Sequence, residues 1–450
     1  MKKLTEGNIW KNFILFAIPL VLSGLLSQAY NLIDTMIAGH YLGEAGLAAV
    51  GATSSAITFV SSLFWGYMVG FGMYVARLFG EGAYGSIRRG VWMHFAFCSA
   101  IALLFTLVAL VFADPFLHLL KVEDAIFAEA KRYFVIYMLG FALILLNTNA
   151  TFLLGSLGDS SFPFWMSIVS AVLNVGGNIL SITVLDWGVA GIAAATVFSA
   201  TVVSVFYIFR FLSIFRSLLP EGSDEKWDLT ETRLALPYSL PPILQQGTMY
   251  VAGLLLSPMI NSLGNAAIAS YVVSMQLLSF VNATYSNAAR TVSNYAAQCL
   301  GTPCPNSEKR QRLSLGVRVG AVQSMAFTVI PVLLCLIFPQ FVASIFFAEG
   351  AVGESISLSV TFQQFFLPFV FFNVINNLIH SFLRAVRSKK LLITTTVLSS
   401  AVRILVSFPL TASYGLNGFW TGMVIAWAAE AIFLLILYRL RVWMPSELKS

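Results

Sequence analysis

IPLVLSGLLSQAYNLIDTMIAGHYLGEAGLAAVG, residues 18–51, decides the class of this chain. The stretch is long and apolar enough to enter a bilayer, where a spanning helix needs roughly 20 mostly apolar residues. It nevertheless carries Gln28, Asn31 and Asp34. Ser23, Ser27, Asn31 and Asp34 follow one another at spacings of 4, 4 and 3, which places them on one helix face, while Leu25, Ala29, Leu32 and Met36 occupy the other. Asp34 therefore ends a polar stripe that faces protein or water rather than lipid. An ionisable side chain inside a membrane costs roughly 3 kcal/mol by insertion scales and marks ion or substrate pathways.

The whole chain follows the same pattern. Of its 450 residues 58% are hydrophobic and only 10% charged, and the mean hydropathy is +0.83. Soluble domains carry about 25% charged residues, so the expectation is an all-α polytopic membrane protein. Twelve spans are predicted, at 13–38, 46–77, 89–113, 127–155, 162–184, 189–212, 234–257, 265–297, 313–338, 357–384, 389–410 and 416–438. The runs are continuous rather than alternating, which excludes a transmembrane barrel. The start, MKKLTEGNIWKN, leads into a run too long for a signal peptide and without a small-residue cleavage site, so it reads as an uncleaved first helix.

The net charge of +6 does not point to nucleic acid, because the basic residues cluster in alternate loops. Lys2, Lys3 and Lys11, Arg77, Arg88 and Arg89, Arg210, Arg216, Lys226 and Arg233, Lys309, Arg310, Arg312 and Arg318, Arg384, Arg387, Lys389 and Lys390, and Arg439, Arg441 and Lys449 are all expected on one side. The other side holds Lys121, Lys131 and Arg132. Both termini are thus expected in the cytoplasm, with the chain in the inner or plasma membrane. Cys98, Cys299, Cys304 and Cys335 form no CxxC pair, so free thiols are expected rather than a zinc site or a disulfide framework.

The polar stretch SLLPEGSDEKWDLTETR, 217–233, divides the chain, and the halves resemble each other. YLGEAGLAAVG (41–51) aligns with SLGNAAIASYV (262–272), and WGVAGIAAATV (187–197) with YGLNGFWTGMV (414–424). The offset is 218 at the prolines (237 − 19), 221 at Gly80 and Gly301 (301 − 80), and 227 at Gly188 and Gly415 (415 − 188). Six spans separate the repeats, so both start on the same side: a parallel repeat with a pseudo-twofold axis along the membrane normal, common among transporters. The expected organisation is an N-terminal lobe at 1–212, a cytoplasmic linker at 213–233 and a C-terminal lobe at 234–450.

Further polar stripes occur. Ser167, Ser170, Asn174, Asn178 and Ser181 line the fifth span, Asn373, Asn377, His380 and Arg384 the tenth, and Thr396, Ser400, Arg403 and Ser407 the eleventh. Ser and Asn stripes serve as helix–helix glue. Arg403 and Glu430, near mid-span of consecutive helices, read as a structural ion pair or as a second coupling site or substrate contact. The N-glycosylation patterns at Asn149 and Asn282 fall inside spans and read as accidental. No GxxxxGK[ST], HExxH or GxSxG occurs, which argues against ATP hydrolysis and these hydrolase chemistries. The reading is of a non-enzyme.

The opening stretch, LLGSLGDSSFP after the fourth span, GVAGIAAATVFS opening the sixth and LALP at the start of the seventh together resemble the MATE (multidrug and toxic compound extrusion) transporters over nearly the whole chain. The resemblance implies two six-helix lobes around a central cleft, alternating access, and export of amphiphilic, often cationic, organic compounds against a H⁺ or Na⁺ gradient, with no other cofactor and as a monomer in the lipid bilayer. Asp34 matches the family's essential first-helix aspartate, Pro19 the proline where that helix bends, and Asn174 and Thr196 members of the aspartate's cluster. Asn178 stands where many members carry a second aspartate. Ser27, Tyr30 and Asn31 would add to the N-lobe lining. In the C-lobe, Gln245 and Asn373 replace acids found in other members, and Gln246, Asn377, Arg403 and Glu430 complete the expected cavity. The pattern resembles the DinF-like branch, whose coupling relies on the N-lobe. The alternative is a lipid-linked oligosaccharide flippase of the same superfamily, which Arg290 and Arg403 favour slightly and the twelve spans oppose.

Overall fold

The computed structural model describes residues 3–119, 122–218, 229–347, 353–445 and 448. The described residues form helices and no strands. The long helices are α1 Ile9–Gly43, α2 Ala48–Glu81, α3 Tyr84–Val111, α4 Asp124–Ser156, α5 Ser161–Thr183, α6 Gly188–Leu218, α7 Thr230–Asn261, α8 Asn265–Gly301, α9 Asn306–Ile337 and α10 Gly353–Ala385, followed by a 51-residue run, Lys389–Arg439. At 1.5 Å per residue that run is about 75 Å long, more than twice a bilayer's hydrocarbon thickness. Its backbone leaves helical values at Gly415, which divides it into α11 (389–414) and α12 (416–439). The described residues thus hold twelve helices long and apolar enough to span. Short helices Ala113–Leu119 and Pro339–Ser344 lie outside them.

The helices are amphipathic in reverse. In α3 the buried side carries His94, Cys98, Ala102 and Thr106 at every fourth position, while Leu103, Leu104, Leu107 and Val111 are exposed. In α5 Asn174, Asn178 and Ser181 are buried, and Val172 and Ile179 face outward. Lipid is as apolar as leucine, so polar and small side chains turn inward, where close packing and hydrogen bonds hold helices together. Asn149 is fully buried and accepts a hydrogen bond from His94 Nε2 at 2.7 Å. The α10 ladder loosens into a π turn at Phe362–Phe366, just before Pro368, whose ring nitrogen has no hydrogen to return to residue 364.

The repeat is written into the backbone. Gly43 and Gly264 both have positive φ (66° and 89°), as do Gly188 and Gly415 (56° and 58°). These are the glycines that the sequence alignment pairs, and a side chain in that region costs roughly 1–2 kcal/mol. Gly158 (φ 77°) and Arg387 (φ 58°) each follow the C-cap of a helix, α4 and α10, and Arg387 holds its positive φ without being glycine.

The chain folds as two compact units. One contains Leu22–Ser239, the other Leu4–Val21 together with Leu240–Ser450. In unit 1, α4 packs on α3 and α6, and α5 on α6; in unit 2, α8 packs on α9 and α10, and α10 on α11–α12. Each unit thus includes the opening of the helix that the sequence assigns to the other half. The end of the linker, expected to be cytoplasmic, is the buried beginning of α7: Glu231 is only 3% exposed, accepts from Tyr74 of α2 and pairs with Arg89 of α3 at 3.3 Å. In unit 2 the opening of α1 does the same against α8 and α9. Phe13 packs edge-on against Tyr295 with ring centroids 5.1 Å apart, and its carbonyl accepts from Gln323 at 2.9 Å. The Leu4 backbone donates to Gln298 at 2.8 Å. Tyr74 and Tyr295 share the offset of Gly80 and Gly301 (295 − 74 = 221), and Phe13 and Glu231 share that of the prolines (231 − 13 = 218). At the matched positions one unit is closed by a charged side chain, Glu231, and the other by an apolar one, Phe13.

Pro19 lies inside α1, whose backbone stays helical on both sides of it and departs only at Gly43.

Candidate functional site in unit 1

Unit 1 assembles its polar centre where α5 and α6 come unusually close. A Cβ on Gly177 of α5 would stand 2.9 Å from the Ala195 methyl of α6, and one on Gly191 of α6 would collide with Ser181 of α5. This approach brings Asn174 within 3.0 Å of Thr196. The same α5 face carries Asn178, whose amide donates to Asp34 of α1 at 2.6 Å. Asp34, Asn174, Asn178 and Thr196 therefore form one cluster drawn from three helices, with Asn174 and Asn178 2% and 0% exposed.

The amide of Asn174 has two self-consistent orientations. With its nitrogen toward Asp34 it donates at 2.7 Å to one carboxylate oxygen and lies 3.2 Å from the other, while its oxygen accepts from the Thr196 hydroxyl at 3.0 Å. That arrangement suits an ionised Asp34, which only accepts. With its oxygen toward Asp34, the amide nitrogen donates to Thr196, whose hydroxyl donates to the Ile192 carbonyl at 3.0 Å. That arrangement requires a proton on Asp34, because two acceptors cannot bond each other. Each member thus has a donor–acceptor role in both charge states.

Other expected residues sit at varying distances from this centre. Ser23 accepts from Ser167 at 3.4 Å, extending the α1–α5 polar seam. Asn31 is exposed, and its carbonyl accepts from Thr35. Tyr30 is hydrogen-bonded to Ser27 and lies within electrostatic reach of Asp34. Tyr133 and Tyr137 of α4 also lie within that reach. Sequence reasoning missed both; their spacing of four on one helix face was the available signal.

In unit 2 the expected cavity residues separate. Asn373 donates to Tyr285 at 2.8 Å. Gln246 and Asn377 are half-buried. Gln245 is buried, accepts from Arg384 at 2.9 Å and meets His380 Nδ1 at 3.1 Å. The ion pair expected between Arg403 and Glu430 is not formed. Glu430 instead accepts from Ser399 at 2.9 Å and stands 3.4 Å from His380 Nε2. Arg403 sits one turn beyond Ser399 on α11 and lies within electrostatic reach of Tyr271. Arg290 donates to Asn287 at 3.2 Å. Among the described residues no group of three His, Cys, Asp or Glu side chains is placed to hold a metal ion.

Comparison with known proteins covers nearly the full length. The MatE family model matches residues 19–180 and 241–408. The chain is 22% identical to a probable multidrug resistance protein of Bacillus subtilis strain 168, YpnP, over 99% of this chain and 98% of that one. It is 24% identical to the multidrug export protein MepA of Staphylococcus aureus strain NCTC 8325 / PS 47, over 97% and 95%. Among solved structures, MATE in complex with MaL6 superposes with a TM-score of 0.90 at 19% identity, covering 99% of this chain and 98% of that one. An outward-facing multidrug resistance MATE family transporter of the MOP superfamily gives 0.90 at 18%, covering 100% of both.

Proposed function

The chain belongs to the MatE family, and we propose that it exports amphiphilic, often cationic, organic compounds across the cell membrane by antiport with H⁺, Asp34 carrying the coupling ion. The names of its relatives, multidrug resistance and multidrug export proteins, support this reading over a lipid-linked oligosaccharide flippase. The protein would work as a monomer with both termini in the cytoplasm and no cofactor besides the ion.

The observation that carries the proposal is the pair of hydrogen-bond patterns around Asp34. When Asp34 is ionised, Asn174 and Asn178 both donate to it. When it gains a proton, Asn174 turns over and Thr196 shifts its hydroxyl to the Ile192 carbonyl. A proton at Asp34 thereby exchanges one α1–α5–α6 bonding pattern for another. An ion drives a conformational cycle only so far as it favours one arrangement over the other. Substrate leaves as the ion enters, and access alternates between the two sides of the membrane. Pro19 is the proposed bend point of α1 during that cycle.

The test is dye or drug efflux from proteoliposomes under an imposed pH gradient alone or a Na⁺ gradient alone, for wild type and Asp34→Asn. Wild type is expected to respond to the pH gradient, and Asp34→Asn to neither. A response to Na⁺ alone would replace the coupling ion, and wild-type efflux by Asp34→Asn would remove the role of Asp34.

A further inference from the structure

We propose that Glu430 is a second proton-binding carboxylate, held in unit 2 by α10 and α11 and separate from Asp34. The proposal goes beyond the coupling role given to Asp34 and does not depend on it.

The argument starts at Arg384, a side chain that can only donate. It donates to Gln245 Oε1 at 2.9 Å and to Ser381 at 2.7 Å. With its oxygen thus occupied, Gln245 turns its NH₂ toward His380, 3.1 Å away, so Nδ1 of the imidazole must accept. A neutral imidazole has one donor and one acceptor. Its hydrogen therefore sits on Nε2, which faces Thr395 Oγ1 at 3.2 Å and Glu430 Oε1 at 3.4 Å. Thr395 sends its own hydrogen to the Leu391 carbonyl at 2.8 Å and is free to accept. Arg384, on the same helix as His380, thus sets the tautomer of that histidine through a residue of α7.

Glu430 receives no permanent counter-charge from this arrangement. His380 and Glu430 have side chains only 10% and 9% exposed. The groups that reach Glu430 are His380 from α10 and the neutral hydroxyl of Ser399 from α11, at 2.9 Å. From α10, Arg384 acts only through Gln245 of α7, and from α11, Arg403 lies a turn beyond Ser399. A carboxylate fixed in a span for structure alone has a cation against it, because an unpaired buried charge is strongly destabilising. Glu430 instead has two neutral neighbours, Ser399 bonded to it and His380 beside it.

The two neighbours differ in what they allow. His380 sends its one hydrogen to Thr395 at 3.2 Å and stands 3.4 Å from Oε1 without bonding it. Ser399 rotates freely and serves as donor or acceptor. A proton arriving at Oε2 converts the carboxylate to a carboxyl group, the Ser399 hydroxyl turns to accept from it, and the bond from His380 to Thr395 is kept. The Ser399–Glu430 bond exists in both states, so proton binding is reversible without unfolding the cluster.

The experiment is infrared difference spectroscopy of the purified full-length protein in lipid nanodiscs, titrated from alkaline to acidic pH without substrate or gradient. It is run in the Asp34→Asn background, so that Asp34 contributes nothing. Acidification is expected to raise a carboxylic C=O band that Glu430→Gln removes and Glu430→Asp moves in frequency. Ser399→Ala is expected to shift its half-titration point. Size-exclusion elution checks the fold of each variant. If Glu430→Gln does not fold, Glu430→Asp decides by band position. A band unchanged by both substitutions, or no band in the Asp34→Asn protein, overturns the proposal. Because this titration reads no transport, its failure is distinguishable from failure of the Asp34 assignment.

Discussion

Asn178 donates its side-chain amide to Asp34 at 2.6 Å, tying α5 to α1 across 144 positions of the chain. Leucine at 178 keeps the volume and removes the donor, leaving a buried carboxylate one bond short. The expected cost is roughly 1–3 kcal/mol of stability when Asp34 is ionised, with loss of gradient-driven efflux. Thr196→Val should impair efflux and Thr196→Ser should restore it, since only the hydroxyl enters the cluster. Equal efflux by the Val and Ser variants would show that Thr196 is packing and nothing more.

The α5–α6 approach is set by small residues, so adding volume there should act at a distance on Asp34. Gly191→Leu drives a side chain into Ser181, and Gly177→Leu into Ala195. Overpacking of this kind costs roughly 1–3 kcal/mol. Both variants are expected to melt earlier and to lose efflux, because the wedge separates Asn174 from Thr196. Gly176→Leu, a neighbour whose Cβ would meet nothing within 4 Å, is the control and should leave the melting temperature near wild type.

The charged anchor in unit 1 offers a third measurement. Tyr74→Phe removes one hydrogen bond to the Glu231 carboxylate, a loss of roughly 1.5–3 kcal/mol by the usual value for charged partners. Glu231→Ala also leaves Arg89 without its partner and should lower thermal stability further. In unit 2, Tyr295→Phe removes a hydroxyl while keeping the ring against Phe13, and should cost less than Tyr74→Phe. Equal losses at 74 and 295 would contradict the division into a charged and an apolar anchor.

Thiol labelling tests topology. Cys98, Cys299 and Cys335 are free but buried, and Cys304 is half-exposed. A membrane-impermeant maleimide should label Cys304 in inside-out vesicles and not in intact cells. Labelling from outside would reverse the proposed orientation.

The spans, their number and the repeat were legible because each rests on a local signal: an apolar run of sufficient length, or a glycine whose backbone needs positive φ, as at Gly43 and Gly264. The one-sided stripe on α5 was equally local, since helical spacing alone fixes which side chains share a face. Pairings between distant helices were harder. Arg403 and Glu430 looked like partners because both lie at mid-span, yet depth says nothing about rotation. Ser399, one turn earlier on α11, occupies that place, and His380 arrives from α10. The opening of α7 was read as linker because TETR is polar, and composition does not reveal that Tyr74 and Arg89 wait to receive Glu231. The tie between Asp34 and Asn178 came from family resemblance joined to stripe geometry, and neither alone would have named the partner.

The exchange of helix openings bears on how the protein is made. Unit 2 combines Leu4–Val21, which precede the main body of unit 1 in the chain, with residues that follow it, from Leu240 onward. Unit 1 lacks its closing piece until Ser239 has left the ribosome. Leu4–Val21 must therefore wait, without their final neighbours, through the synthesis of Leu22–Ser239. Severed at the linker and expressed alone, neither half could finish itself, because each holds the other's missing cap; produced together, each would supply the cap the other lacks. Two separately encoded halves would assemble by the same reciprocity, which gives a duplicated gene reason to become a single reading frame.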